Sequence, residues 1–249
     1  MRLSKRTKIT RERRGRSADR YRLQTLLGDL SHSVAPERLG VRLSDRVLWR
    51  AKTDEPNIAL TFDDGPQPLY TPALLEVLDR GGVPATFFLV GKNVEMHPEL
   101  ARRIVRAGHE VGNHSYSHSF LLLSSEDKIR REILRTDELL RSIDGAAPRF
   151  FRPPAGLFSN RMLDIAEDLG YRAVVGDVYP RDPHYPGRRK IVRRVLERVA
   201  AGSIIILHDG GGTRRLDRSQ TLEAVREIIP RLREKGFRFM TLSDLLSNA

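Results

Sequence analysis

The sequence predicts an α/β fold of about seven parallel strands with helices outside them. Short apolar runs alternate with amphipathic segments along the chain, and this alternation is the pattern of parallel βαβ units. Beyond residue 50 the composition does not change abruptly, which favours one closed or nearly closed barrel over two domains. An open, doubly wound sheet would give much the same pattern, so both architectures remain open at this point.

The strand predictions depend on short runs of apolar and β-branched residues that are bounded by turn-forming residues. The run IAL, for example, is followed directly by TFDDGP, which ends in turn-forming residues, and a second run reads ATFFLV. The seven predicted strands span residues 57–62, 85–90, 110–112, 149–151, 172–175, 204–207 and 237–241.

The helix predictions depend on apolar residues that recur every three or four positions between these strands. The six predicted helices span residues 72–80, 98–107, 125–143, 160–169, 189–200 and 220–235. Because each helix connects two strands, the helices are expected on the outside of a parallel sheet.

Length and composition limit the chemistry that the chain can perform. A chain of 249 residues, of which 39% are hydrophobic and 31% charged, can bury a substantial core. It contains no cysteine, which excludes disulfides, thiolate metal sites and cysteine nucleophiles. Any metal must therefore be bound by His, Asp or Glu side chains.

The positive charge of the chain is concentrated near its N-terminus. The formal net charge is +12, and residues 1–22 contain ten Lys or Arg residues against Glu12 and Asp19, a net of +8. We interpret residues 1–24 as a basic, disordered tail, residues 25–50 as a connector and residues 51–249 as the folded domain. Contact of the tail with a membrane, a wall polymer or nucleic acid is the alternative. No specific nucleic-acid partner is expected, because the basicity belongs mostly to this tail.

The sequence has no recognisable export or membrane-spanning segment. It lacks the apolar core of a secretory signal and the roughly 20 apolar residues of a membrane span. We therefore expect a cytoplasmic location by default, and a cell-envelope location if the start site is wrong. The oligomeric state cannot be inferred from the sequence.

Titratable side chains follow five of the seven predicted strands, at the point where each strand ends. In parallel α/β folds the functional residues collect at these carboxyl ends. The residues concerned are Asp63 and Asp64, His114 and His118, Arg152, Asp177 and Asp182, and His208 and Asp209. This edge of the sheet is therefore the predicted functional site.

Two adjacent carboxylates, Asp63 and Asp64, repel each other unless they are solvated or face a positive charge. In the stretch NHSYSH, His114 and His118 stand four residues apart, so a helical turn would bring both imidazoles to one side. Two imidazoles and one carboxylate are the ligand set of a catalytic metal site with an open position for water. One aspartate would then bind the metal, and the other would remove a proton from the water. The alternatives are an ordinary solvated turn and two unrelated histidines.

Five motifs in order resemble the polysaccharide deacetylase family, also called the NodB-homology domain or carbohydrate esterase family 4. They are TFDDGP, HSYSH, RPPAG, DVYPRDP and IIILHD, and the similarity extends from about residue 50 to the C-terminus. The resemblance implies a distorted (β/α) barrel, makes residues 51–249 the catalytic domain, and implies metal-dependent removal of acetyl groups from sugars.

The resemblance also implies a role for each motif residue. Asp63 would be the general base, and Asp64, His114 and His118 would bind a divalent metal, with Zn²⁺ expected first and Co²⁺, Ni²⁺ or Mn²⁺ as alternatives. Three further residues receive roles from the resemblance. Arg152 would help to hold the base, Asp182 would be the acidic partner in the fourth motif, and His208 would be the general acid. Amide hydrolysis needs an activated water, an oxyanion contact and a proton for the leaving amine, and these residue types supply them.

The chain departs from the family pattern at two positions in the expected substrate groove. Ala155 stands where the family often has Tyr, although the oxyanion contact expected there comes from a backbone N–H. Pro183 follows Asp182, where the family usually has Trp. Both changes remove an aromatic face on which a sugar could stack, and either Tyr179 or Tyr185 could compensate. The alternative is that both tyrosines are ordinary loop residues.

We therefore predict a metal-dependent hydrolase that removes acetyl groups from an N-acetylated carbohydrate such as peptidoglycan or a chitin oligomer. One alternative is a hydrolase of a non-saccharide C–N amide bond at the same centre. Another is a glycan-binding domain without turnover, against which Asp63 and His208 argue, because binding alone needs neither a base nor an acid.

Overall fold

The structure is a computed structural model that describes residues 45–144, 148–211 and 217–249. The predicted tail, residues 1–24, and residues 25–44 of the predicted connector lie outside the described residues. Among the described residues, no helix has both the length and the apolar character that crossing a bilayer requires.

The described residues form an α/β fold around one mostly parallel sheet, as predicted. The strands are β1 (Val47–Leu48), β2 (Asn57–Asp63), β3 (Thr86–Leu89), β4 (Glu110–Asn113), β5 (Phe150–Phe151), β6 (Arg172–Val174), β7 (Ile204–His208) and β8 (Arg238–Met240). Their order in the sheet is β1-β6-β5-β4-β3-β2-β7, and β8 pairs with the first half of β2.

Helices connect most successive strands. They are α1 (Tyr70–Gly81), α2 (Gly91–Met96), α3 (Pro98–Arg106), α4 (Glu126–Asp144), α5 (Asn160–Asp168), α6 (Arg188–Arg198), α7 (Ser219–Glu234) and α8 (Leu242–Ser247). All six predicted helices are present, within a few residues at their ends. The sequence analysis missed α2 and α8, because six residues are too few to show a helical periodicity.

The sheet is wrapped towards a barrel without a continuous ladder between its two end strands. Single-residue bridges join Arg50 to Ser203 and Val178 to Ile205, and so link the β1–β6 end of the sheet to β7. Strand β1 was not predicted and lies within the predicted connector. Its buried residues Val47 and Leu48 pair with β6, so the connector boundary at residue 50 was wrong at its C-terminal end.

Successive side chains of β2 point alternately to the outer core and to the barrel interior. Ile58, Leu60 and Phe62 belong to the largest apolar cluster, which also contains buried residues of α1 and α7. Ala59 belongs to a second cluster, in which Leu242 of α8 is buried. Side chains alternate along a strand, so Thr61 and Asp63 share the inner face with Ala59. The barrel interior thus leads from an apolar base to a polar end.

The register of β2 places the carboxyl ends of three strands beside one another. Asp63 is aligned with Phe88 of β3 on one side and with His208 of β7 on the other. On the far side of β3, Leu89 is aligned with Asn113, the last residue of β4, so the residues after β4 begin at this same edge. Predicted site residues from β2, β4 and β7 are therefore neighbours in space.

Candidate metal centre and catalytic residues

The turn after β2 points two adjacent carboxylates in different directions. Asp63 ends the strand in extended conformation and is buried, whereas Asp64 has φ +73° and begins the turn. A left-handed backbone conformation is rare for residues other than glycine, but aspartate adopts it more readily than most. The change of conformation between the two residues lets each carboxylate contact a different set of partners.

Backbone contacts from β7 hold this turn in place. The N–H groups of Asp209 and Gly210 both donate to the Asp63 carbonyl, at 3.2 and 3.3 Å. The Asn93 side chain donates to the Asp64 carbonyl at 2.8 Å. A Cβ on Gly210 would lie 2.0 Å from that same carbonyl oxygen, so only glycine allows the two chains to approach this closely.

His114 and His118 follow β4 in a loop. The predicted helical turn was wrong, since Ser115 and His118 both have positive φ, at +61° and +50°. The imidazole rings nevertheless lie side by side, with centroids 4.8 Å apart. Their Nε2 atoms lie 3.5 Å (His114) and 3.1 Å (His118) from Oδ1 of Asp64.

Glu132 of α4 fixes the loop that carries the second histidine. Its two carboxylate oxygens accept from the Ser117 N–H at 2.7 Å and from the Ser117 hydroxyl at 2.6 Å. At the start of α2, the N–H of Gly91 donates to the Ser115 carbonyl at 3.0 Å. Glu132 was not found by the sequence analysis, because a charged residue on a solvent-facing helix gives no signal of such a contact.

The protonation of His114 is set by its neighbour. Its Nδ1 lies 2.7 Å from the Arg152 carbonyl, which can only accept, so Nδ1 carries the proton and Nε2 presents a lone pair. Burial lowers the pKa of His118 and favours its neutral form. Burial alone would raise the pKa of Asp64, but His118 and His114 outweigh it and lower that pKa.

These three side chains fit a cation. One atom each from Asp64, His114 and His118 lies within 4.8 Å of the others. Oδ1 of Asp64 is buried and has no hydrogen-bond partner among the described residues, although the lone pair of His114 faces it. A buried carboxylate oxygen opposite imidazole lone pairs is stable only if something positive lies between them.

Arg152 is buried against the other aspartate. Its Nη1 donates to Oδ1 of Asp63 at 2.5 Å and to the Thr61 hydroxyl at 2.8 Å. The guanidinium carbon lies 3.9 Å from the centre of the Phe88 ring, a cation–π contact. Burial lowers the pKa of Arg152, and the charge of Asp63 acts against this. A guanidinium therefore lies directly against the Asp63 carboxylate inside the protein.

Asp182 and His208 form a second buried pair. Oδ1 of Asp182 lies 3.0 Å from Nδ1 of His208, and Oδ2 accepts from the His208 N–H and from the Thr221 hydroxyl. Burial alone would lower the pKa of His208, but the charge and hydrogen bond of Asp182 outweigh it and raise the pKa. His208 thus keeps its proton to a higher pH than an ordinary histidine.

All seven predicted site residues lie at one end of the sheet. Five of them are linked by contacts of 3.9 Å or less: Asp63, Asp64, His114, His118 and Arg152. Asp182 and His208 join this group through the register of β7 with β2. Asp177, the other acid after the predicted fifth strand, lies elsewhere, where it accepts from Ser203 and the Ile204 N–H at the start of β7.

The carboxyl group of Asp209 is also buried at this end. One oxygen accepts from the Thr71 hydroxyl, and the other has no hydrogen-bond partner among the described residues. Burial raises the pKa of Asp209 to about 7 against the effect of the Thr71 hydrogen bond, and the charges of Asp64 and Asp63 add to the rise.

Comparisons with known proteins agree with this geometry. A family model described as "Polysaccharide deacetylase" matches residues 50–174. A peptidoglycan-N-acetylglucosamine deacetylase from Bacillus cereus is 39% identical over 202 residues, which cover 80% of this chain and 92% of the relative. A chitooligosaccharide deacetylase from Sinorhizobium fredii is 40% identical over 199 residues, which cover 77% of this chain and 93% of the relative.

One similar solved structure differs from these relatives in its described activity. It is a pseudoenzyme of carbohydrate esterase family 4 from Bacillus anthracis, 30% identical to this chain, with a TM-score of 0.76 over 83% of this chain and 70% of its own. Likeness of fold therefore does not by itself imply turnover, and the argument for activity depends on the side chains at the site.

The Asp182–His208 pair allows a first test. In Asp182→Asn the burial of His208 persists while the largest charge that opposes it is gone, so the pKa of His208 should fall from its raised value. The raised pKa of His208 also makes the stability of the native state depend on pH. A raised histidine pKa stabilises the native state below pH 6.5, and this contribution is lost as the pH rises through the raised value.

An NMR titration of the His208 ring protons would measure this pKa directly. Asp177→Asn is the matched control, because Asp177 is a hydrogen-bonded acid of the same β6–β7 region whose described contacts are to Ser203 and Ile204 and not to His208. It should leave the pKa of His208 unchanged. An unchanged His208 pKa in Asp182→Asn would contradict the interpretation of the pair.

Proposed function

Because this chain belongs to the polysaccharide deacetylase family, we propose that the site hydrolyses the N-acetyl group of a carbohydrate with a divalent metal, Asp63 as base and His208 as acid. The observation that carries this proposal is the set of side chains gathered around Asp64. Three ligand-competent groups face one another, while a buried acid and a buried base, each with its own charged partner, flank them.

The ligands of the metal would be Asp64, His114 and His118. When bound, a divalent cation supplies Lewis-acid chemistry, because it lowers the pKa of water and polarises an acetyl carbonyl. Two imidazoles and one carboxylate suit Zn²⁺ and also Co²⁺, Ni²⁺ or Mn²⁺, so the donor set does not select one metal strongly. We propose Zn²⁺ first.

Asp63 would take the proton from the attacking water. Its Oδ1 is held by Arg152, and Oδ2 lies 3.9 Å from Nε2 of His114, so this second oxygen is turned towards the metal ligands. The hydrogen bond from the guanidinium fixes the plane of the Asp63 carboxylate. A base that is oriented beside the ligands without being one of them explains why the motif contains two aspartates.

His208 would give a proton to the leaving amine. An amine leaves readily only when it is protonated, and a histidine with a raised pKa is protonated near neutral pH. Oδ1 of Asp182 accepts the hydrogen bond from Nδ1 of His208, so Nε2 on the other side of the ring is directed away from Asp182. The alignment of Asp63 with His208 across β2 and β7 places base and acid side by side at this edge of the sheet, where the ligands also lie.

The substrate would be a glycan that contains N-acetylglucosamine. Both relatives named above act on such sugars according to their names, and we extend this to the present chain. Of the two tyrosines considered as substitutes for the missing aromatic residue, Tyr179 is buried and hydrogen-bonded to His184. Tyr185 exposes 51% of its surface, and its N–H donates to the Asp182 carbonyl. We propose Tyr185 as the face on which the sugar stacks.

Acetate release decides the proposed function. Purified protein with added Zn²⁺ should release acetate from N-acetylglucosamine oligomers, a chelator should abolish the release, and Zn²⁺ should restore it. A panel of non-saccharide acetamides is the control for a general amide hydrolase. Oligomer binding without acetate release at any metal loading would favour a domain without turnover.

Substitution of each aspartate should silence the enzyme for a different reason. Asp64→Ala should lose the metal. Asp63→Asn should retain it, because all three ligands remain, while the rate falls by about two to four powers of ten through loss of the base. Elemental analysis beside acetate release measures both effects, and the exposed Asp54→Ala is the control. Loss of metal in Asp63→Asn with metal and activity retained in Asp64→Ala would reverse the assignment.

Tyr185→Ala should weaken substrate binding with little effect on the chemical step. An aromatic contact contributes about 0.5–1.5 kcal/mol, so KM for a long oligomer should rise about 2-fold to 10-fold at nearly constant kcat. Tyr185→Phe keeps the ring and removes the hydroxyl that contacts the Asp217 N–H, and it should behave like the parent protein. An unchanged KM in Tyr185→Ala would exclude this ring from the substrate site.

A further inference from the structure

The proposed mechanism gives no role to Asp209, although this side chain is one of the most deeply buried acids at the site. Only 2% of its surface is exposed. Its single side-chain hydrogen bond in the described structure comes from Thr71, and no ion pair to Asp209 exists among the described residues. A carboxylate buried with one neutral hydroxyl is costly to keep ionised, so its ionised form calls for a further positive partner.

Asp209 lies directly against the turn that carries Asp64. A Cβ built on Gly65 would lie 2.6 Å from both carboxylate oxygens of Asp209, so the face of the carboxylate covers the α-carbon of Gly65. The Asp209 N–H also donates to the Asp63 carbonyl at 3.2 Å. The side chain of Asp209 therefore lies against Gly65 and its N–H binds Asp63, the two residues that flank Asp64 in the chain.

The charges at the site suggest what Asp209 balances. Arg152 is matched by Asp63, and a protonated His208 is matched by Asp182. A divalent cation on Asp64, His114 and His118 would receive only one negative charge from its ligands. A second negative charge nearby would balance this cation, and among the described residues Asp209 is a buried acid without an ion pair. The buried guanidinium of Arg218 donates to the neighbouring Gly210 carbonyl, and no ion pair joins it to Asp209.

We propose that Asp209 is a positioning residue of the metal centre, whose carboxylate supplies the second buried negative charge for the divalent cation and supports the turn that carries Asp64. The inference depends on the metal centre of the proposed function. The charges of Asp63 and Asp64 also raise the pKa of Asp209, which agrees with a carboxylate placed in a field that only a cation would relieve.

The test compares the metal-free and metal-bound states of Asp209→Asn at pH 8. Asparagine has the same shape and keeps an acceptor for Thr71, so the variant removes the charge alone. Zn²⁺ affinity, measured by competition with a chromophoric chelator, should fall about 10-fold to 100-fold, as is usual when a group behind a metal ligand is lost. The melting temperature of the metal-free protein should not fall, because a repulsive buried charge is gone, while the stabilisation on adding Zn²⁺ should shrink.

Two further variants separate charge from structure. Asp177→Asn alters an acid at the other end of β7 that accepts from the Ser203 hydroxyl and the Ile204 N–H, so it should lower the melting temperature in both states and leave Zn²⁺ affinity unchanged. Thr71→Val removes the hydrogen bond and keeps the charge, so its Zn²⁺ affinity should stay within about 3-fold of the parent.

Three results would overturn the proposal: parental Zn²⁺ affinity in Asp209→Asn, a fall of its metal-free melting temperature like that of Asp177→Asn, or failure of the metal-free variant to fold. None of these measurements involves turnover. A protein that binds Zn²⁺ as expected but releases no acetate would therefore refute the proposed function and leave this inference standing.

Discussion

Two adjacent carboxylates at the end of one buried strand are the constraint on which the rest of the site depends. Ionised and close together, Asp63 and Asp64 repel each other, and burial makes the repulsion stronger. The fold resolves this by a change of backbone direction between them. Extended Asp63 is directed to Arg152, while left-handed Asp64 is directed to two imidazoles. Each charge thereby receives its own positive partner, one a permanent guanidinium and the other a proposed metal.

The surrounding elements then serve to hold these two directions. Phe88 lies under the Arg152 guanidinium and replaces part of the hydration that burial removes. Gly210 allows β7 to approach the Asp64 carbonyl, and Asn93 of α2 holds that carbonyl from another side. The stability of the site therefore comes from backbone and aromatic contacts that are themselves uncharged, which lets the charged groups remain available for chemistry.

Base and acid differ in how they are tuned, although both belong to a charged pair. Arg152 holds the Asp63 carboxylate by a direct ion pair, whereas the charge and hydrogen bond of Asp182 raise the pKa of His208. The proposed reaction needs one group that accepts a proton and one that donates it, and two separate charged pairs orient them. The pseudoenzyme of similar fold shows that the fold alone does not guarantee turnover.

The sequence by itself determined the α/β class and all six long helices, because periodicity is a local property. Strand-end position gave nine candidate site residues, and the family resemblance selected from them the seven side chains that gather at one end of the sheet. The sequence did not predict β1, because a two-residue strand is defined only by its pairing with β6. It also missed the short helices α2 and α8. It also placed His114 and His118 on a helical turn, whereas a loop fixed by Glu132 brings them together. Contacts such as Glu132 to Ser117, Asp209 to Gly65 and Thr221 to Asp182 join residues that are distant in the chain. Only the packing of helices and strands around one parallel sheet decides them.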